Sequence, residues 1–157
     1  VSGGVDVDAV VIRDAVAADV AAIVALLQQL SLDGAARERA ADDPAYVDAF
    51  RAMDADPRTR LLVAVRAGVV VATAQLTILP NLSHGGRPVA QLESVVVDDA
   101  VRGAGVGGVL VDECLRLARA SGCFRAQLTS NAARGDAHRF WAKHGFAPTH
   151  VGFKCPL

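Results

Sequence analysis

The spacing of apolar residues changes period several times along the chain, and each change marks an element. Val10-Val11-Ile12-Arg13 opens with a short β-rich run. Val20, Ile23, Val24, Leu27 and Leu30 then recur three and four residues apart, on one face of an amphipathic helix. Residues 32–57 are polar and Ala-rich, punctuated by Pro44 and Pro57, and predict one short or broken helix around residues 45–53. The period then falls to that of strands. Residues 61–65 and 69–79 are joined by a turn at Ala67-Gly68, and residues 89–97 follow a loop over 80–88 that contains Gly85-Gly86. Val106, Val109, Leu110, Cys114, Leu117 and Ala118 restore a helical stripe, which ends at Ser121-Gly122. Residues 124–129 read as a strand, 136–144 as a short helix closed by Gly145, and 146–153 as one or two last strands. The order β-α-α-β-β-β-α-β-α-β predicts an α/β (α+β) fold in one domain, a mixed sheet covered by helices on both faces.

Composition narrows the class. The 157 residues suit a single domain, and 52% hydrophobic against 21% charged residues excludes a disordered chain. A net charge of −1 implies no basic face, so nucleic acid is not an expected partner. The longest apolar runs, such as Val69–Ala72 and Val95–Val97, are strand-length, so no membrane partner is expected either. The first residues lack a basic stretch followed by an apolar one, which predicts a cytoplasmic protein without a secretory leader. Cys114, Cys123 and Cys155 are odd in number and form no C-x-x-C pair. They are expected to be reduced thiols that fill the core, with no metal site.

The chemistry concentrates after the strand at 92–97. Arg102-Gly103-Ala104-Gly105-Val106-Gly107-Gly108 follows it and opens a helix. Backbone N–H groups at such a start point outward with the positive end of the helix dipole behind them, a fit for a diphosphate. Gly103-x-Gly105-x-x-Gly108 also spells a dinucleotide fingerprint. That motif, however, opens a βαβ unit and needs an acidic residue about 20 positions on. Residues 123–131 contain neither Asp nor Glu, which argues against a nicotinamide-dependent oxidoreductase.

The same residues resemble the Gcn5-related N-acetyltransferase (GNAT) superfamily, whose signature Arg/Gln-x-x-Gly-x-Gly/Ala is matched by Arg102 to Gly107. Residues 11–20 resemble the family's first strand and helix, and Asn131 with residues 137–146 resembles its later half, so the likeness covers essentially the whole chain. The resemblance implies a mostly antiparallel sheet with a V-shaped splay between two central strands, and acetyl-CoA (coenzyme A) as the acyl donor. It implies that backbone groups of Arg102, Gly103, Ala104, Gly105, Val106, Gly107 and Gly108 hold the pyrophosphate. Val95, Val96 and Val97 would pair with the pantetheine arm as an added strand, and Asn131 would hydrogen-bond near that arm. The Arg102 side chain has two readings, charge near a phosphate or a cap on the turn. The acceptor would be the amine of a small molecule or a peptide, and a homodimer is common in the family.

Three needs follow. A lysine-like amine, with a pKa near ~10.4, must lose a proton. The thioester oxygen must be stabilised, for which a backbone N–H near Val95 is the expected donor. The thiolate must leave. Glu93 is the candidate base, because a carboxylate inside an apolar strand is costly unless it is solvated or functional, and partial burial would tune it. Its alternatives are a carboxylate that recognises a cationic acceptor and a plain surface Glu. Many relatives carry a tyrosine four residues before the closing Gly-Phe; here that position is Trp141, which is no useful acid. His138 and His144 flank it at helical spacing, and Tyr46 is the chain's single tyrosine. The departure leaves a non-catalytic acyl-CoA-binding module on the same fold as the competing reading. Asp33, Asp42, Asp43, Asp48 and Asp54 would suit a cationic acceptor or simply form a solvated face.

Overall fold

A computed structural model of the chain describes residues 10–31 and 38–157. Residues 1–9 and 32–37, Asp33 among them, lie outside the described residues. The elements run β1 (Val10–Asp14), α1 (Val20–Gln28), α2 (Pro44–Ala55), β2 (Thr59–Arg66), β3 (Val69–Leu79), a single helical turn α3 (Ser83–Gly86), β4 (Val89–Val97), α4 (Val106–Ala120), β5 (Arg125–Gln127) and α5 (Gly135–Lys143). The strands form one sheet in the order β1-β2-β3-β4-β5. All neighbours are antiparallel except β4 and β5, which run parallel and are joined by the crossover helix α4.

Local chemistry accounts for the ends of these elements. Asp43 accepts a hydrogen bond from the Ala45 N–H at 2.9 Å, and Pro44 occupies the first turn, so α2 has both a cap and a pre-set φ. The β2–β3 turn places Ala67 and Gly68 at φ 49° and 79°, the paired left-handed conformation that matches the twist of a two-residue hairpin. Ahead of α1, Arg13 grips Asp19 through two bonds of 2.6 and 2.9 Å. That guanidinium holds the buried Asp19 carboxyl below the usual carboxylate range, against the opposing effect of burial.

The sheet is covered on both faces. On one side Leu62, Ala64, Ala72, Ala74, Leu76, Ala90 and Leu92 meet Val106, Leu110, Cys114 and Ala118 of α4. The alanines let the helix approach the sheet closely. On the other side Val63 packs with Ile23 and Val24 of α1 and Phe50 of α2.

Two strand expectations are corrected. Residues 146–153 form no strand: the chain after Phe146 is exposed, with Val151 at 79% and Phe153 at 93% accessibility. Pro148 and Gly152 interrupt the alternation there, and proline removes a ladder donor. The strand expected over 124–129 is confined to Arg125–Gln127, because β4 and β5 pair at only three positions, ending at Gln91 opposite Gln127. The cysteine expectation divides. Cys114 is fully buried and its thiol is pushed up to about 12 by burial, Cys123 is half-buried, and Cys155 is exposed rather than core-filling.

Candidate acyl-transfer site

The site begins with one residue too many in β4. Thr73 stands opposite Val96 but Gln75 stands opposite Glu93, so the register slips by one across Ser94 and Val95. Ser94 absorbs the slip with φ 52°, a left-handed conformation inside a strand. The slip inverts the alternation of side chains. Leu92 packs on the α4 side and Glu93 faces the other way, yet beyond the bulge Val95 and Val97 also pack on the α4 side.

The edge of β4 is free along this stretch. Pairing with β5 stops at Gln91, so among the described residues no strand lies beside residues 92–97 on that side, and the two strands part as the splay requires. The Asp98 N–H bonds to the Val71 carbonyl at 2.9 Å. By alternation Val96 turns its backbone groups toward β3, while Val95 and Val97 turn theirs to the open edge. Of the three valines expected to meet a pantetheine arm, Val96 is therefore committed to the sheet. The Val97 carbonyl is also taken, by Arg102 Nε at 3.2 Å.

The glycine-rich turn has two kinds of glycine. Gly103 and Gly105 hold φ 79° and 85°, which lets the chain turn sharply into α4. The first intrahelical bond runs from the Val109 N–H to the Gly105 carbonyl at 3.2 Å, so the N–H groups of Val106, Gly107 and Gly108 precede the ladder. Gly107 and Gly108 serve packing. A methyl group at Gly107 would lie 3.1 Å from Val97 Cγ2 and 3.4 Å from the Phe140 ring, and one at Gly108 would lie 3.1 Å from His144 Cε1. Ala104 and Val106 point side chains into the core. Arg102 pairs with Asp99 at 2.5 Å as well as with the Val97 carbonyl, which is the turn-capping one of its two readings.

Glu93 is exposed, so the partial burial on which its role as a base leaned is absent. What the fold supplies instead is orientation. Gln127 Nε2 donates to Gln91 Oε1 at 2.9 Å, and Gln91 Nε2 donates to Glu93 Oε1 at 2.8 Å, a relay from β5 to β4. Asn131 forms an exposed turn: its Oδ1 accepts from the Ala133 N–H at 2.9 Å, which leaves its Nδ2 as a donor. His138 Nε2 meets the Asn131 carbonyl at 3.0 Å. Trp141 packs edge-on against Phe140 and Phe146, with ring centroids 5.0 and 5.3 Å apart, a core aromatic. His144 tilts against Phe140 and lies 3.5 Å from Asp112.

Sequence reasoning did not find the cleft beside the bulge. This cleft is lined by Val20, Ile23, Val24 and Leu27 of α1, Tyr46, Ala49, Phe50 and Met53 of α2, Leu61, Thr73, Gln75 and Ser94. Thr73 is fully buried and donates to the Leu62 carbonyl at 3.0 Å. Tyr46 does reach this cleft, but its hydroxyl donates to Glu38 at 2.8 Å and accepts from the Arg39 N–H. Burial foremost, and the Glu38 bond next, push its pKa up. The acidic residues of α2 stand elsewhere: Asp43 caps the helix, Asp48 faces Arg51, and none of them lines the cleft.

A crossover helix, a bulged strand with a free edge and a glycine-rich helix start thus meet along β4. The sequence matches the acetyltransferase (GNAT) family over residues 25–146, and the chain belongs to that family. It is 31% identical over 112 residues to the aminoalkylphosphonate N-acetyltransferase of Salmonella typhimurium, covering 71% of this chain and 72% of that one. It is 38% identical over 79 residues to the glucosamine 6-phosphate N-acetyltransferase of Trypanosoma brucei brucei, covering 50% of this chain and 52% of that one. The match therefore spans about half the length of the trypanosomal relative. A solved transcriptional regulator from Bacillus halodurans superposes with a TM-score of 0.87 at 34% identity, covering 94% of this chain and 99% of that one.

Proposed function

We propose that the chain is an acetyl-CoA-dependent N-acetyltransferase that passes its acetyl group to a primary amine by direct attack in a ternary complex. The observation that carries this is the convergence on β4 of a free strand edge and a left-handed bulge, beside a helix start with three N–H groups ahead of its ladder. These donors fit the proposed group: unpaired amides suit paired phosphates, and a free strand edge suits the amide-bearing pantetheine arm. Val106, Gly107 and Gly108 hold the pyrophosphate through their N–H groups. Val95 and the Val97 N–H receive the arm, and Asn131 donates to it through Nδ2. Arg102 braces the turn rather than the phosphate.

Acetyl-CoA would supply the acyl carbon: the amine nitrogen would bond to it as the C–S bond breaks, and of the two protons the ammonium loses on becoming an amide, one passes to Glu93 and on to solvent and the other neutralises the departing thiolate. Glu93, held by Gln91, removes the proton of the ammonium directly or through water. The thiol pKa of about 8.5, by analogy with cysteine, lets the sulfur leave without a dedicated acid, which suits a chain with Trp141 where relatives often carry tyrosine. The relatives named above are named for amino sugars and aminophosphonates; the acceptor of this chain is taken up below.

The test joins calorimetry with CoA to thiol release in the presence of amines. Wild-type protein binds CoA and turns over, while Glu93→Gln keeps CoA affinity and loses about 100-fold in kcat, the lower range for a general base. Binding with no thiol release from any amine favours the acyl-CoA-binding module instead, and a failure to bind CoA overturns both readings.

A further inference from the structure

The cleft beside Ser94 carries a statement about the acceptor. Among the described residues its lining holds no charged side chain. Leu27, Phe50, Met53 and Leu61 give it an apolar wall, and polarity is confined to Tyr46, Thr73, Gln75 and Ser94. Two of these are already engaged, Thr73 with the Leu62 carbonyl and the Tyr46 hydroxyl with Glu38. Gln75 donates through Nε2 to Thr77 Oγ1 at 3.4 Å, so its amide oxygen is left to accept a hydrogen bond. Gln75 stands directly opposite Glu93 in the sheet, on the same face, so both acceptors lie where the cleft meets the bulge. On the framing elements Arg51 faces Asp48 and Arg60 faces Asp14, and no arginine among the described residues lines the cleft.

Charge and shape thus divide the cleft in two. The end at Glu93 and Gln75 accepts hydrogen bonds and suits an ammonium. Among the described residues the remainder offers contact to hydrocarbon and no cation. A phosphate or phosphonate group moved there would leave water for a lining whose one uncommitted hydroxyl, that of Ser94, cannot replace the hydration of a charged group.

We propose that the acceptor is a primary amine carried on an uncharged, apolar body, aliphatic or aromatic, and that this cleft excludes amines bearing phosphate or phosphonate. The inference rests on the acetyltransferase reading, and Gln75, Leu27 and Met53 are its specificity-determining residues.

The experiment measures kcat/KM by thiol release and by mass of the product. Hexylamine and phenethylamine are set against glucosamine 6-phosphate and 2-aminoethylphosphonate, with CoA binding followed separately by calorimetry. The apolar amines are expected to exceed the anionic ones by at least 100-fold. Leu27→Arg, which places a cation in the wall, is expected to raise 2-aminoethylphosphonate at least tenfold and to lower hexylamine. Should a melting curve show that this variant is unfolded, Met53→Arg at a half-buried position replaces it. Equal or greater turnover of the phosphorylated amines overturns the inference. So does CoA binding accompanied by no acetylation of either apolar amine. Loss of CoA binding itself removes the underlying function along with the inference, and the calorimetry tells these failures apart.

Discussion

Replacing glycine by alanine at two positions of the turn before α4 and at one in its first turn separates the jobs those glycines do. At Gly105 the backbone holds φ 85°, where an added Cβ crowds the following carbonyl at a cost of about 1–2 kcal/mol. Gly103, at φ 79°, isolates that cost, because nothing lies within 4 Å of its new methyl group. Gly108 sits inside α4, where alanine gains about 0.8–1.0 kcal/mol over glycine in helix propensity. Its methyl group meets His144 Cε1 at 3.1 Å, the far end of a ring that can turn aside, so the gain and the crowding nearly cancel. In a domain of this size each kcal/mol moves the melting temperature by about 2–4 °C. Gly105→Ala and Gly103→Ala are therefore expected to melt about 2–8 °C below wild type, and Gly108→Ala within about 2 °C of it. Calorimetry should show CoA affinity reduced at least tenfold by Gly105→Ala and kept by Gly108→Ala. If Gly108→Ala proved the more damaging of the two by both measures, the division between turning and packing glycines would be wrong.

Asp19→Asn should destabilise the fold by roughly 1.5–3 kcal/mol at neutral pH, the range for hydrogen bonds to a charged partner. Because Arg13 lowers the folded-state pKa of Asp19, its contribution is present above the unfolded carboxylate value and lost as pH falls through the folded one. Denaturant titrations should thus show the gap between wild type and variant narrowing as pH falls below about 5 and closing only once the lowered folded-state value is passed. Ala67→Asn places a residue tolerant of φ 49° at the β2–β3 turn and should raise stability by about 0.5 kcal/mol in the same titration. Iodoacetamide at pH 8 should label exposed Cys155 in the native protein and leave Cys114, whose buried thiol sits at about 12, unmodified until denaturant is added. Mass spectrometry of the labelled peptides decides this.

What was legible in the sequence follows from how local each signal is. The stripe of α4, apart from the exposed Val109, and the bounds of β4 depend on neighbouring residues and match the structure, as does the turn at Ala67-Gly68. The end of β5 depends on where β4 stops pairing with it, which no residue of β5 encodes. The apolar residues over 146–153 suggest a strand, but Pro148 and Gly152 break the alternation and none forms. The glycine motif was legible as a helix start, but not its division of labour, because the packing role of Gly107 and Gly108 depends on Val97, Phe140 and His144 from elsewhere in the chain. The cleft was out of reach for the same reason: its lining is gathered from two helices and three strands. The misjudged burial of Glu93 has a related origin, since apolar neighbours in sequence alternate faces in a strand and say little about the face that Glu93 itself occupies.

The bulge at Ser94 ties these pieces into one argument. With strict alternation, Leu92 inside would put Ser94 and Val96 inside and send Val95 and Val97 to the face of Glu93. The core beneath α4 would then exchange Val95 and Val97 for Ser94 and Val96, a net replacement of one valine by a serine. The single left-handed residue shifts the phase, so Leu92, Val95 and Val97 all pack on the α4 side while Glu93 keeps the opposite face beside Gln75. The strain is local, but its removal is not. Restoring regular pairing would exchange the two faces along half of β4 and would rotate the free edge that Val95 and Val97 present. Packing against α4 therefore holds the bulge in place, and the bulge in turn sets which atoms face the splay and which face the cleft.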